Sequence, residues 1–182
     1  MKICIDPGHG GSDPGAVANG LKEKDLTLQI SLEVAKLLKA AGHQVILTRD
    51  KDIYVPLNIK RTPACDISVS IHINAGSGQG VEVWHALYNK PQQSKMLASY
   101  VLQFILKSVP ALKNRGLKNK KSIHGNWDYY FMLRCAKGIP ILVECGFIDS
   151  SDAKILKTRW KDIAKGIANG ILEFIKAGGV KQ

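Results

Sequence analysis

Asp66-Ile67-Ser68-Val69-Ser70-Ile71-His72-Ile73-Asn74 is the stretch from which the fold can be read. Ile67, Val69, Ile71 and Ile73 take every second place, and Ser68, Ser70, His72 and Asn74 take the places between. Successive strand residues point to opposite faces. The pattern therefore predicts a strand with one face in a core and a polar face that ends at His72 and Asn74. A glycine-rich loop over 75–80 follows, and Val81 to Leu87 reads as the next strand.

Working outward, residues 2–6 and 44–48 also read as strands, and 139–144 is an apolar run that reads as a buried one. Between them lie helical patterns. Leu26, Ile30, Val34, Leu37 and Leu38 share one side of a helix over 24–41, stopped by Gly42. Pro91 opens a helix to Val109, and Pro110 lies just past its end. Ser151 caps a short helix to Lys157, and 161–177 forms the last. A short irregular or helical segment is expected around 56–64, and a short strand over 130–133. Strands alternating with helices predict one α/β domain with a mostly parallel sheet. It is expected to span 1–177, with 178–182 as a tail or the start of a linker.

Ligands gather at the carboxyl ends of strands in such sheets. His9 follows the first strand in Ile5-Asp6-Pro7-Gly8-His9-Gly10-Gly11-Ser12-Asp13-Pro14-Gly15. His72 and Glu144 close two others. Two imidazoles and a carboxylate, with a fourth position open, are the layout of a catalytic zinc site. A second carboxylate, not bound to metal, would carry protons for hydrolysis. Glu23 and Glu144 are both candidates for either part, and spacing alone does not choose between them. Each has a plainer reading. Glu23 suits a helix start through the helix dipole, and His72 suits a hydrogen-bonded core. A lone buried Glu144 is costly without a partner. The glycine-rich opening matches neither common phosphate-binding pattern. A Cys-His hydrolase on Cys145 is disfavoured because Cys145 and Glu144, as strand neighbours, face opposite ways. His43, His85 and His124 read as surface or structural residues.

Composition narrows the setting. The chain has 182 residues, 45% of them hydrophobic, and no run reaches the ~18 apolar residues of a membrane span. Its net charge of +11 predicts attraction to a polyanion. Much of that charge falls between Lys107 and Lys121, followed by Trp127, Tyr129 and Tyr130; a solvated loop and a substrate-facing rim are equal readings of it. The opening residues lead straight into a strand and carry no signal-peptide pattern. The expectation is synthesis in the cytoplasm, or a domain cut from a longer protein. Cys4, Cys65, Cys135 and Cys145 lack metal-type spacing and are expected to be reduced.

Asp6-Pro7-Gly8-His9-Gly10-Gly11-Ser12-Asp13-Pro14-Gly15-Ala16, Glu23-Lys24-Asp25-Leu26-Thr27-Leu28 and Ser70-Ile71-His72-Ile73-Asn74-Ala75 closely resemble the type-3 zinc N-acetylmuramoyl-L-alanine amidases. Leu47-Thr48-Arg49, Gly80-Val81-Glu82-Val83, Asn114-Arg115-Gly116-Leu117-Lys118 and Val143-Glu144-Cys145-Gly146-Phe147-Ile148 extend the likeness, in order, over essentially the whole chain. The resemblance implies a three-layer α/β domain, with helices on both faces of a twisted, mixed and mostly parallel six-stranded sheet. It implies cleavage of the amide between N-acetylmuramic acid and L-alanine in peptidoglycan, and the missing signal-peptide pattern suggests a phage-type endolysin or a sporulation autolysin acting on the wall after release. It implies Zn2+ held by His9, Glu23 and His72, with Glu144 as general base. The expected partner is the anionic wall polymer, with no nucleic acid and no membrane insertion. A monomer is expected, and a separate wall-binding module elsewhere is compatible. Two departures from the family pattern stand out: a short segment between Arg61 and Ser70, and extra residues from His124 to Tyr130. No helical insertion of the site-blocking kind is apparent, so an open site is expected.

Overall fold

The 66–74 pattern forms a strand, Ile67–Asn74 (β5), at the middle of the sheet, in a computed structural model that describes residues 1–58 and 63–180. Around it lie Lys2–Pro7 (β1), Gln44–Leu47 (β4), Val81–His85 (β6), Asn114–Lys118 (β7) and Ile139–Phe147 (β8). Val17–Ala18 (β2) and Leu21–Lys22 (β3) make a separate small hairpin. The helices are Glu23–Ala40 (α1), Pro91–Ser108 (α2), Phe131–Cys135 (α3), Asp152–Thr158 (α4) and Trp160–Lys176 (α5).

The six-stranded sheet runs β4-β1-β5-β8-β6-β7. Its first four strands are parallel, whereas β6 runs antiparallel to β8 and carries β7 parallel beside it. The carboxyl ends of β1, β5 and β8 thus emerge side by side, and the strand order reverses at β1, flanked by β4 on one side and β5 on the other, which is where a crevice opens. Ile3 and Ile5, Ile67 to Ile73 at alternate places, and Ile141 and Val143 enter one apolar core with the inward stripes of α1, α2 and α5. The opposite face carries Asp6, Ser68, Ser70, His72 and Glu144, and is covered by the short α3, whose Leu133 packs on Leu142 and Ala86. Helices therefore lie on both faces, the long ones on one.

Several local readings are corrected. Residues 130–133 were expected as a strand, but Phe131–Cys135 is helical. Tyr130 and Leu133, three apart, both face the small apolar cluster around Leu142, a helical rather than an alternating spacing. Asn114–Lys118 was read as basic loop and is the edge strand β7. Charged residues on an exposed edge hide the alternation. The β2–β3 hairpin turns on Asn19-Gly20, both at positive φ (51° and 70°), a pairing favoured in two-residue hairpins. Residues 59–62 of the expected 56–64 segment lie outside the described residues, and 56–58 and 63–64 form neither helix nor strand. At the far end, Val180 packs against the core, while 181–182 lie outside the described residues.

Candidate active site

Three elements bring His9, Glu23 and His72 together. His9 lies two residues past β1, with φ at 61°; histidine reaches this left-handed region more readily than most side chains. The loop closes on itself through reciprocal backbone bonds between Gly10 and Asp13. Asp13 Oδ1 accepts from Gly15 N at 3.1 Å, and its Oδ2 sits 2.8 Å from His9 Nδ1. Arg49, almost wholly buried, ties this loop to α1 by donating to the carbonyls of Gly8 and Lys24 at 2.9 and 2.8 Å.

Glu23 is the first residue of α1, a place where a carboxylate meets the positive end of the helix dipole. Its Oε2 accepts from Ala16 N and its Oε1 from Ile73 N, each at 2.9 Å. The same Oε1 lies 3.2 Å from His9 Nε2 and 3.1 Å from His72 Nδ1. The two rings meet edge to face, centroids 5.2 Å apart. Small neighbours are required here. A Cβ on Gly15 would fall 2.6 Å from Glu23 Oε2, and one on Gly8 would fall 2.5 Å from the His72 ring.

One ligand atom from each of His9, Glu23 and His72 lies within 4.8 Å of the others. With Asp13 accepting from Nδ1–H of His9, Nε2 presents its lone pair to a carboxylate oxygen. Two lone pairs at that distance repel unless a cation lies between them. A proton serves that purpose, and so does a metal ion. Burial opposes ionisation of Glu23, but the two imidazoles outweigh it and hold its carboxyl far below the usual range. Glu23 in turn raises His9 to about 9. Three convergent donors, with a carboxylate steering one imidazole from behind, fit the chemistry of a zinc site. Asp13→Ala is expected to weaken divalent-metal binding about 10–100-fold, as read by competition with a chromogenic chelator. The Asp13 side chain is 45% exposed, so the fold should persist.

Glu144 stands directly beside His72, its register partner across β5 and β8. It is 8% exposed, and its Oε2 is buried without a hydrogen-bond partner among the described residues. Burial pushes its carboxyl up from 4.5 to about 7, with Glu23 and Glu82 adding to the rise and the imidazoles opposing it. Glu82 faces Glu144 from β6 and is itself compensated: Arg115 Nε donates to it at 2.7 Å, Trp84 Nε1 at 3.1 Å and Asn74 Nδ2 at 3.2 Å. A small hollow lined by Asp6, His9, Asp13, Leu57, His72 and Met132 opens over the site.

Sequence reasoning gave no part to Asp13 or Glu82. Asp13 is four residues from His9 inside the quoted loop, and Glu82 lies in a short strand whose register with Glu144 only the folded sheet reveals. The other readings place simply. His85 is buried, with Nδ1 3.1 Å from Ala86 O and Nε2 3.1 Å from Asn119 Nδ2. Cys145 points into the main core, away from Glu144, and all four cysteines are free thiols.

A family model described as N-acetylmuramoyl-L-alanine amidase matches residues 3–173. The sporulation-specific N-acetylmuramoyl-L-alanine amidase of Bacillus subtilis (strain 168) is 38% identical over 94% of this chain and 67% of its own length. An endolysin of Bacillus phage SPP1 is 35% identical over 97% of this chain and 68% of its own. The solved structure of N-acetylmuramoyl-L-alanine amidase AmiC2 of Nostoc punctiforme superposes with a TM-score of 0.85, at 33% identity and 97% coverage of both chains. The match takes in the His9 loop, Glu23, His72 and Glu144, and this chain belongs to the N-acetylmuramoyl-L-alanine amidase family of enzymes.

Proposed function

We propose that the chain hydrolyses the amide between the lactyl group of N-acetylmuramic acid and the first L-alanine of peptidoglycan, using zinc held by His9, Glu23 and His72. We assign the catalytic unit to residues 1–177. The reading is carried by one observation: Glu144, a buried carboxylate with one oxygen unpartnered among the described residues, sits in register beside a cluster of three metal-type donors. A zinc ion held by these three residues would supply Lewis acidity for the attacking water and the scissile carbonyl. Glu144 takes the proton of the attacking water and delivers it to the leaving nitrogen of alanine. A base works best with a pKa near the working pH, and in the metal-free chain burial already raises Glu144 to about 7. Asp13 keeps the His9 imidazole turned so that Nε2 faces the donors. Glu23 would carry a double load, as a ligand and as the acceptor of the Ala16 and Ile73 amides, one on each oxygen.

The net charge of +11 favours residence on an anionic wall and makes that residence salt-sensitive. No helix among the described residues is long and apolar enough to cross a membrane. Action on the wall as an endolysin or autolysin fits both kinds of relative. Digestion of purified peptidoglycan tests the reading. New N-terminal alanine should appear without new reducing sugar, a chelator should stop the release, and added zinc should restore it. Reducing ends without free alanine amine would mean a glycosidase, and the proposal would fail.

A further inference from the structure

A line of aromatic side chains leaves the site along the sheet face that the long helices do not cover. It starts at Glu82, the register neighbour of Glu144, to which Trp84 Nε1 donates at 3.1 Å. The Trp84 and Tyr130 rings meet edge to face at 5.0 Å, and Tyr130 meets Tyr129 in the same way at 5.2 Å. Lys120 Nζ lies 4.2 Å over the Tyr129 ring. The line thus runs from the register neighbour of the candidate base out to solvent.

Its outer end belongs to residues 119–130, a narrow antiparallel arm closed by Ser122 N to Trp127 O at 2.8 Å and Tyr129 N to Lys120 O at 2.9 Å. The arm is pinned. Asp128 is fully buried and accepts from Leu87 N at 2.6 Å and Tyr88 N at 3.3 Å. The Trp127 ring lies on Gly125, where a Cβ would fall 2.1 Å from it. Yet Trp127 and Tyr129 remain 42% and 47% exposed. Tyr129 is joined to the cleft through Tyr130 and Trp84, and Trp127 stands two residues before it on the same side of the pinned arm; uncovered rings so placed are a contact surface rather than core.

We propose that this arm and the Trp84–Tyr130–Tyr129 line form a subsite for the glycan strand of peptidoglycan, which gives the enzyme a preference for polymer over short muramyl peptides. The inference rests on the amidase reading. The C–H faces of pyranose rings carry partial positive charge and stack on aromatic faces, whose quadrupole is negative. Lys118, Lys120 and Lys121 add charge complementary to the carboxylates of the stem peptides. Rings fixed before binding lose little entropy on contact.

The test compares wild type with Trp127→Ala and Tyr129→Ala on two substrates: purified peptidoglycan strands, and a soluble muramyl peptide bearing one sugar. The ratio of kcat/KM for strands to kcat/KM for the short fragment is expected to fall about 3–10-fold for each ring removed, and Tyr129→Phe should retain the wild-type ratio. Pelleting of the Glu144→Gln protein with insoluble peptidoglycan, with and without the ring substitutions, gives a readout independent of turnover and should weaken in parallel. An unchanged ratio with unchanged pelleting would overturn the subsite. Loss of pelleting through competition by single-stranded nucleic acid, but not by soluble glycan strands, would also overturn it. Failure of wild type to release alanine amine from either substrate would instead sink the amidase reading, a separate outcome.

Discussion

Glu144→Gln is expected to lower kcat about 10²–10⁴-fold, the range for removing a positioned general base, while the protein still binds zinc. Glutamine is nearly isosteric and fills the same place beside His72, but it cannot take a proton from water. The substitution also has a stability signature. The folded chain raises the Glu144 pKa from 4.5 to about 7, so the charged form is disfavoured by folding. Above about pH 7 the folded protein bears the full cost of that buried charge. The cost shrinks as pH falls toward 4.5 and is absent below it. A neutral Gln removes it, so metal-free Glu144→Gln should be more stable than metal-free wild type at alkaline pH, by on the order of 3 kcal/mol. The gain should fade as pH is lowered through the same window. Thermal melts across pH, set beside turnover and zinc content, check all of this. An inactive variant that is also less stable at high pH would indicate a structural role for Glu144.

Glu23→Ala should do the most damage of any single change at the site. It is expected to reduce metal affinity by more than the ~100-fold that loss of a merely supporting group can cost. It should also destabilise the metal-free chain, because the Ile73 and Ala16 amides lose the acceptor each meets at 2.9 Å. An unsatisfied buried donor costs about 1–3 kcal/mol. Metal analysis after gel filtration and a melt of the chelated protein report the two effects separately. Normal zinc content in the purified variant would remove Glu23 from the ligand set. Asp13→Ala should differ in kind: weaker metal binding with little change in the chelated melt.

Much of the fold could be read from the chain because its signals are local. The alternation from Ile67 to Asn74 and the helical stripe of Leu26, Ile30, Val34 and Leu38 each follow from one element burying one face. Edge strand β7 and helix α3 were misread because their pattern is set by neighbours. β7 is charged because it lies at the sheet edge, and α3 is helical because Tyr130 and Leu133 must both reach Leu142. The Asn19-Gly20 turn is a local signal of the same kind, legible in the chain.

The sequence by itself determined the layered α/β class, the strand-end placement of His9, His72 and Glu144, and the likeness to a known family. It did not determine how the two glutamates stand toward the imidazoles: Glu23 reaches both rings from a helix start 49 residues before His72, while Glu144 sits across one strand gap. Nor did it show Glu82 and the aromatic line beyond it. Side-chain periodicity is a property of one segment, whereas register between strands distant in the chain exists only once the sheet has formed, and here that register sets which carboxylate meets which ring.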